Sequence, residues 1–229
     1  ISQYHIGGII FFQGGPYRQA VLTNRYQAAA KIPLLVGIDG EWGLGMRLDS
    51  TVSFPRQMTL GAVNDNQLIY KMGVEIANHC KRLGIHINFA PVADINSNPT
   101  NPVIGNRSFG EEKHNVANKA SAYMKGMQHQ RVLTAAKHFP GHGDTNTDSH
   151  YDLPVLTHSY ETLFETDLYP FTKLIADSIV GIMSGHLHVP SIDNASNVPA
   201  TLSPKIINGL LREKLGFQGL VFTDAMNMK

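Results

Sequence analysis

Apolar, β-branched runs recur along the chain at residues 6–12, 34–38, 85–90, 132–136, 179–183 and 220–222, each bounded by Gly, Pro or Asn. They are short and continuous and do not alternate with polar residues, the pattern of parallel strands buried on both faces. Between them lie segments with helical spacing. Residues 65–83 carry Leu68, Ile69, Met72, Ile76 and Cys80, and residues 116–130 read as a second helix. Ser203-Pro204 ahead of Ile206, Ile207, Leu210 and Leu211 reads as a cap with proline in the first helical position. Strand and helix are thus expected to alternate throughout, giving an α/β fold.

Two parallel architectures fit that alternation, a doubly wound open sheet and a (β/α)8 barrel, and the polar residues choose between them. Asp39, Asp94, Lys137 with His138, His186 and Asp224 each follow a different apolar run. Reactive side chains at the C-terminal ends of five strands converge on one mouth in a barrel, whereas an open sheet gathers them at one switch point. No GxGxxG or GxxxxGK[ST] loop marks such a point. The expected fold is therefore a TIM-like (β/α)8 barrel. Six runs do not close eight strands, so one further strand is expected before residue 1 and one after residue 229.

Composition adds limits. Of 229 residues 42% are apolar and 16% charged, ordinary for a globular chain, and the net charge of +1 supplies no field that would gather nucleic acid. No apolar run approaches the roughly 20 residues of a membrane span. Cys80 is the single cysteine, so no internal disulfide can form; it is expected in the core, and the compartment stays open between cytoplasm and cell envelope. Both ends fall at strand-like sequence, which leaves room for a leader and for a further C-terminal domain.

The richest stretch is Lys137-His138-Phe139-Pro140-Gly141-His142-Gly143, followed by Asp148-Ser149-His150. With Phe89-Ala90-Pro91-Val92-Ala93-Asp94, Ile104-Gly105-Asn106-Arg107-Ser108-Phe109-Gly110 and Phe222-Thr223-Asp224-Ala225-Met226, it resembles the family 3 glycoside hydrolases, in particular their bacterial β-N-acetylglucosaminidase branch. The resemblance implies that residues 1–229 are a single catalytic barrel domain, incomplete at both ends, that removes terminal β-linked N-acetylglucosamine with retention, with wall-derived muropeptides as the favoured substrate. It implies Asp224 as the nucleophile and His150, partnered by Asp148, as the acid/base. A carboxylate beneath the anomeric carbon can trap an oxocarbenium-like centre, and an imidazole near neutral pKa can give and take the proton at the leaving oxygen. Sugar-binding roles carry over to Asp39, Arg47, Arg107, Lys137 and His138, and His186 is expected as a pocket wall. His142 is expected to brace the loop, Asp94 to hold loop amides or basic groups, and the Gly-, Asn- and Thr-rich residues 141–147 to move. The chain departs from the family pattern at Gly40, where Gln is usual, and at Trp42, where Gly is usual; the Trp could stack on a sugar or pack under the loop.

No cofactor or metal is expected. His138, His142, Asp144, Asp148 and His150 could in principle hold zinc for a metallohydrolase, but there is no HExxH helix and no Cys ligand. A silent wall-sugar binding module would need one of the catalytic motifs to be lost, and both are intact. Within the family, a β-glucosidase and a phosphorylase remain open, the second because a neutral His repels an incoming phosphate less than a carboxylate does.

Overall fold

The computed structural model describes residue 1 and residues 3–147 and 152–227. Six parallel strands form one sheet in chain order: β1 (Gly8–Phe11), β2 (Leu35–Ile38), β3 (Ile87–Asn88), β4 (Leu133–Phe139), β5 (Gly181–Ser184) and β6 (Leu220–Thr223). Every apolar run read from the sequence becomes a strand. β3 is assigned only two residues, yet its ladder is longer: Phe89 N–H donates to Ile38 O and Ala135 N–H to Ala90 O, before the Ala90 N–H turns back to Asn88 O.

The sheet curls. Phe89 follows β3 and Phe222 lies on β6, three strands away, a separation of about 14 Å in a flat sheet; their rings nevertheless meet edge to face at 5.2 Å between centroids. Gly37 on β2 makes room for the same ring, since a Cβ there would come within 2.8 Å of Phe89 Cε2. Among the described residues β1 and β6 are each paired on one side only, so the sheet is an incomplete TIM-like barrel.

Helices cover the outside: α1 (Pro16–Ala29), α2 (Gln57–Gly61), α3 (Asn66–Arg82), α4 (Lys113–His129), α5 (Tyr160–Thr162) and α6 (Tyr169–Ala176). Asp65 caps α3 by accepting from Gln67 N–H, and His79, Lys81 and Arg82 complement its C-terminal dipole. Glu112 caps α4 by accepting from His114 and Asn115 N–H. Lys205–Lys214 is π-helical rather than α-helical, with Ser203 Oγ accepting from Ile206 N–H at 3.3 Å. Its buried Ile206, Leu210 and Leu211 stand at spacings of four and five, which suits the wider turn.

α3 and α4 cross where Gly73 meets Gly126. A Cβ on Gly126 would strike Tyr70 O and lie 3.0 Å from Val74 N, backbone atoms that cannot rotate away. Gly126→Ala should therefore destabilise the fold by about 1–3 kcal/mol despite alanine's better helix propensity. That amounts to roughly 2–10 °C in the thermal midpoint of the cooperative transition; an unchanged or raised midpoint would mean the helices can part without cost.

Candidate active site

At the C-terminal ends of the strands five charged side chains alternate in sign. Asp39, just past β2, accepts from Arg47 Nη2 at 3.1 Å and from Lys137 Nζ at 2.8 Å. Lys137, on β4, also pairs with Glu41 Oε1 at 2.9 Å. Glu41 takes the Arg107 guanidinium in a two-bond fork, Nη2 to Oε1 at 2.7 Å and Nε to Oε2 at 3.1 Å. Glu41 is fully buried and Lys137 only 2% exposed, an arrangement viable only because each charge has an opposite neighbour. Burial alone would raise the Glu41 carboxyl, but Lys137 and Arg107 outweigh it and hold it far below the usual carboxylate range. Burial likewise opposes Asp39, which Lys137 and Arg47 hold low. Burial opposes the charge on Lys137 as well, and the carboxylates of Glu41 and Asp39 raise it.

Backbone contacts fix this array. Asn88 Oδ1 accepts from Gly40 N–H at 2.8 Å, while Asn88 Nδ2 and Tyr123 Oη both donate to Gly40 O. A Cβ at residue 40 would come within 3.2 Å of Asn88 Oδ1, a tight contact that glycine avoids. Gln57 Nε2 donates to Glu41 O at 2.7 Å.

A second centre lies beside it. Asp94, fully buried, accepts from His138 Nδ1 at 2.7 Å, from His138 N–H and from His142 N–H at 2.8 Å. The bond to Asp94 keeps the His138 proton on Nδ1 and turns Nε2 towards Arg107 Nη2, 3.4 Å away. Burial would raise Asp94, but His138 and His142 together lower it. Asp94 thus holds the loop amides and a basic group, the role expected of it.

The segment after β4 is anchored, contrary to its loop-like composition. His142, Gly143 and Thr145 are buried. Asn101 Nδ2 donates to His142 O and Gly143 O, and Asn98 Nδ2 to Thr145 O. Asp144 pairs with His158 Nε2 at 2.7 Å, and His158 Nδ1 bonds Asp167 at 2.6 Å. The bond to Asp167 is the main reason the His158 pKa is raised. Within the segment Thr145 Oγ1 donates to His142 O at 3.0 Å and Asn146 Oδ1 accepts from Asn98 Nδ2 at 2.6 Å. His142 contacts Thr145 Oγ1 through Nδ1, and among the described residues its Nε2 finds no partner. Burial, then His138, push its pKa down.

Asp224 follows β6, its N–H donating to Ser184 O at 2.9 Å and its Oδ1 accepting from Ala225 N–H. It lines the same cavity of about 800 Å³ as Asp39, Arg47, Arg107, Lys137 and His138. Six site residues expected from the sequence are thereby brought together. His186 is not part of that lining; it is buried against Thr201 Oγ1 at 2.9 Å, and burial lowers its pKa. Asp148 and His150 lie outside the described residues. Glu41 and Asn101 were not singled out from the sequence. Glu41 stands two residues past Asp39 at the same strand end, which was the available signal; Asn101 gave none. Among the described residues no helix is long and apolar enough to cross a membrane, and no group of three His, Cys, Asp or Glu is disposed to hold a metal ion.

Parallel strands presenting acidic and basic groups around one mouth define a (β/α)-barrel domain with a site suited to a polyhydroxylated ligand. All of residues 1–229 match the glycosyl hydrolase family 3 N terminal domain, and the chain belongs to that family. It is 41% identical over 251 residues to beta-hexosaminidase A of Pseudoalteromonas piscicida, covering 100% of this chain and 42% of that protein. The structure of a family 3 β-N-acetylglucosaminidase from Paenibacillus sp. FPU-7 superposes with a TM-score of 0.94 at 41% identity, covering 100% of this chain and 45% of the other. A beta-glucoside phosphorylase, BglX, superposes with the same TM-score of 0.94 at 28% identity over 99% of this chain and 43% of the other. The chain thus spans less than half the length of each of these three.

Proposed function

We propose that residues 1–229 are a single catalytic barrel domain of a retaining exo-β-N-acetylglucosaminidase, with Asp224 as nucleophile and His150 with Asp148 as acid/base. The observation that carries this reading is that Asp224, just past β6, lines one cavity with Asp39, Arg47, Arg107 and Lys137, four of the five charged side chains of the array, set at and beyond β2 and β4. Hydrogen-bonding groups of both signs hold the hydroxyls of a terminal ring through Asp39, Arg47, Arg107, Lys137 and His138, fixing its anomeric carbon over the carboxylate. In the first step an Asp224 oxygen bonds to that carbon as the glycosidic C–O bond breaks, and His150 gives its proton to the departing oxygen. In the second, water attacks the same carbon, His150 takes the water's proton, and the ester to Asp224 opens to restore the carboxylate.

The relatives' names, beta-hexosaminidase and β-N-acetylglucosaminidase, support N-acetylglucosamine as the ring. The aglycone expected is a further amino sugar, as in wall or chitin fragments. Mass spectrometry of a digest taken during turnover of an activated N-acetylglucosaminide should find a glycosyl adduct on Asp224, and proton NMR of the first-formed product should show retained configuration. An inverted product with no adduct sinks the mechanism.

The likeness to BglX favours one second reading, in which phosphate rather than water opens the adduct. Adding phosphate would then raise the rate and yield the sugar 1-phosphate; an unchanged rate and free sugar leave the hydrolase.

A further inference from the structure

We propose that Trp42 is the wall of a second sugar site, stacking on the apolar face of the ring that follows the one bound by the charged array. This deepens the function proposed above and rests on it. The array on the cavity floor is ionic and buried, and it matches the hydroxyl edge of a ring. Phe12, Trp42, Met46 and Val103 line the same cavity and offer apolar surface instead. A pyranose has both kinds of surface, polar at its edge and C–H on its faces, and an aromatic plane is the usual match for the second.

Among these side chains Trp42 is the one set up as a platform. The Arg56 guanidinium carbon sits 3.4 Å from the centroid of its ring, stacked over one face. Trp42 lines the cavity and Arg56 does not, so the guanidinium braces the ring without itself forming part of the cavity wall. Phe12 also has an arginine over its ring, Arg47 at 5.3 Å, but Arg47 itself lines the cavity and is paired with Asp39 in the charged array.

The backbone around Trp42 is held on both sides. Glu41 O accepts from Gln57 Nε2, Trp42 O from Phe54 N–H at 2.8 Å, and Gly43 N–H donates to Gly40 O at 3.1 Å. A ring fixed before the ligand arrives loses little freedom on stacking. Trp42 directly follows Glu41, one Cα step of about 3.8 Å, so its surface begins within one sugar ring of the array.

Trp42 is the sole tryptophan of residues 1–229, and the difference in emission between the parent and Trp42→Phe isolates its signal in the intact protein. The test is a titration of the intact protein with N-acetylglucosamine and with the thio-linked disaccharide of N-acetylglucosamine, whose sulfur bridge resists hydrolysis. Binding is followed in parallel by calorimetry. The disaccharide should change the tryptophan emission saturably, at the calorimetric midpoint, and much more than the monosaccharide does. Trp42→Ala should weaken the disaccharide about fivefold to tenfold more than the monosaccharide, and Trp42→Phe should recover most of that difference.

Calorimetric binding of the disaccharide with unchanged emission overturns the stacking role and leaves the proposed function standing. An equal emission change with the monosaccharide also overturns it, because Trp42 would then belong to the first ring. If neither sugar binds and a chromogenic N-acetylglucosaminide is not turned over, the function fails and the second site falls with it.

Discussion

Asp224→Ala should abolish turnover of every N-acetylglucosaminide, by roughly 10⁴–10⁶-fold in kcat, the scale seen when the nucleophile of a covalent mechanism is deleted. Folding should survive. Asp224 is partly exposed, and its side-chain hydrogen bond is to the neighbouring Ala225 N–H, so truncation breaks no long-range contact of the core. The strand it follows is held by backbone bonds to β5, including its own N–H to Ser184 O, and alanine keeps them. The variant should therefore melt within a degree or two of the parent while showing no glycosyl adduct. Turnover within tenfold of the parent would remove Asp224 from the chemistry, and a collapsed melting curve would show that its role is structural.

The strands were legible because each is a continuous apolar run between breakers, the signal of a strand buried on both faces. α1 carries no such signal. The residues it buries include Gln19 and Thr23, so its inward side is polar and its sequence shows no apolar stripe to read. The site was legible to the extent that chemistry sits at strand ends, which held for Asp39, Lys137, His138 and Asp224. The pairings that support it were not, because they act across the chain. Arg107 meets Glu41 66 residues away, Asn88 clamps Gly40 from a distance of 48, and Asn101 holds His142 O from 41. Sequence spacing carries no trace of a pairing created only when the sheet curls. The anchoring of residues 141–145 was hidden for a related reason: Gly, Asn and Thr are equally the residues of a loop and of a segment hydrogen-bonded to its surroundings.

The charged array also bears on where the proton for the leaving group comes from. Asp39, Glu41 and Asp94 are each held ionised by basic partners, so none carries a proton to donate near neutral pH. Lys137 and Arg107 are pushed the other way and hold theirs too tightly. Burial lowers the pKa of His142 and His186, which favours their neutral form and works against a role as the acid. The Nδ1 proton of His138 is engaged by Asp94, and its Nε2 faces a guanidinium. Among the described residues in or beside the cavity, none of these groups is poised to give up a proton near neutral pH, which supports the role proposed for His150.

His150→Ala should accordingly split substrates by leaving group. A sugar or alkyl aglycone departs as a poor leaving group unless protonated, and its hydrolysis should fall about 10²–10⁴-fold. A nitrophenolate needs no proton to leave, so formation of the Asp224 adduct should stay nearly as fast as in the parent. The second step then loses its base, and the adduct should accumulate, seen as a rapid burst of nitrophenol followed by slow turnover. Azide, an anion that attacks without giving up a proton, should restore turnover and yield the β-glycosyl azide. Equal losses on both substrate types, with no burst and no effect of azide, would mean that the proton comes from another group and that His150 has no part in either step.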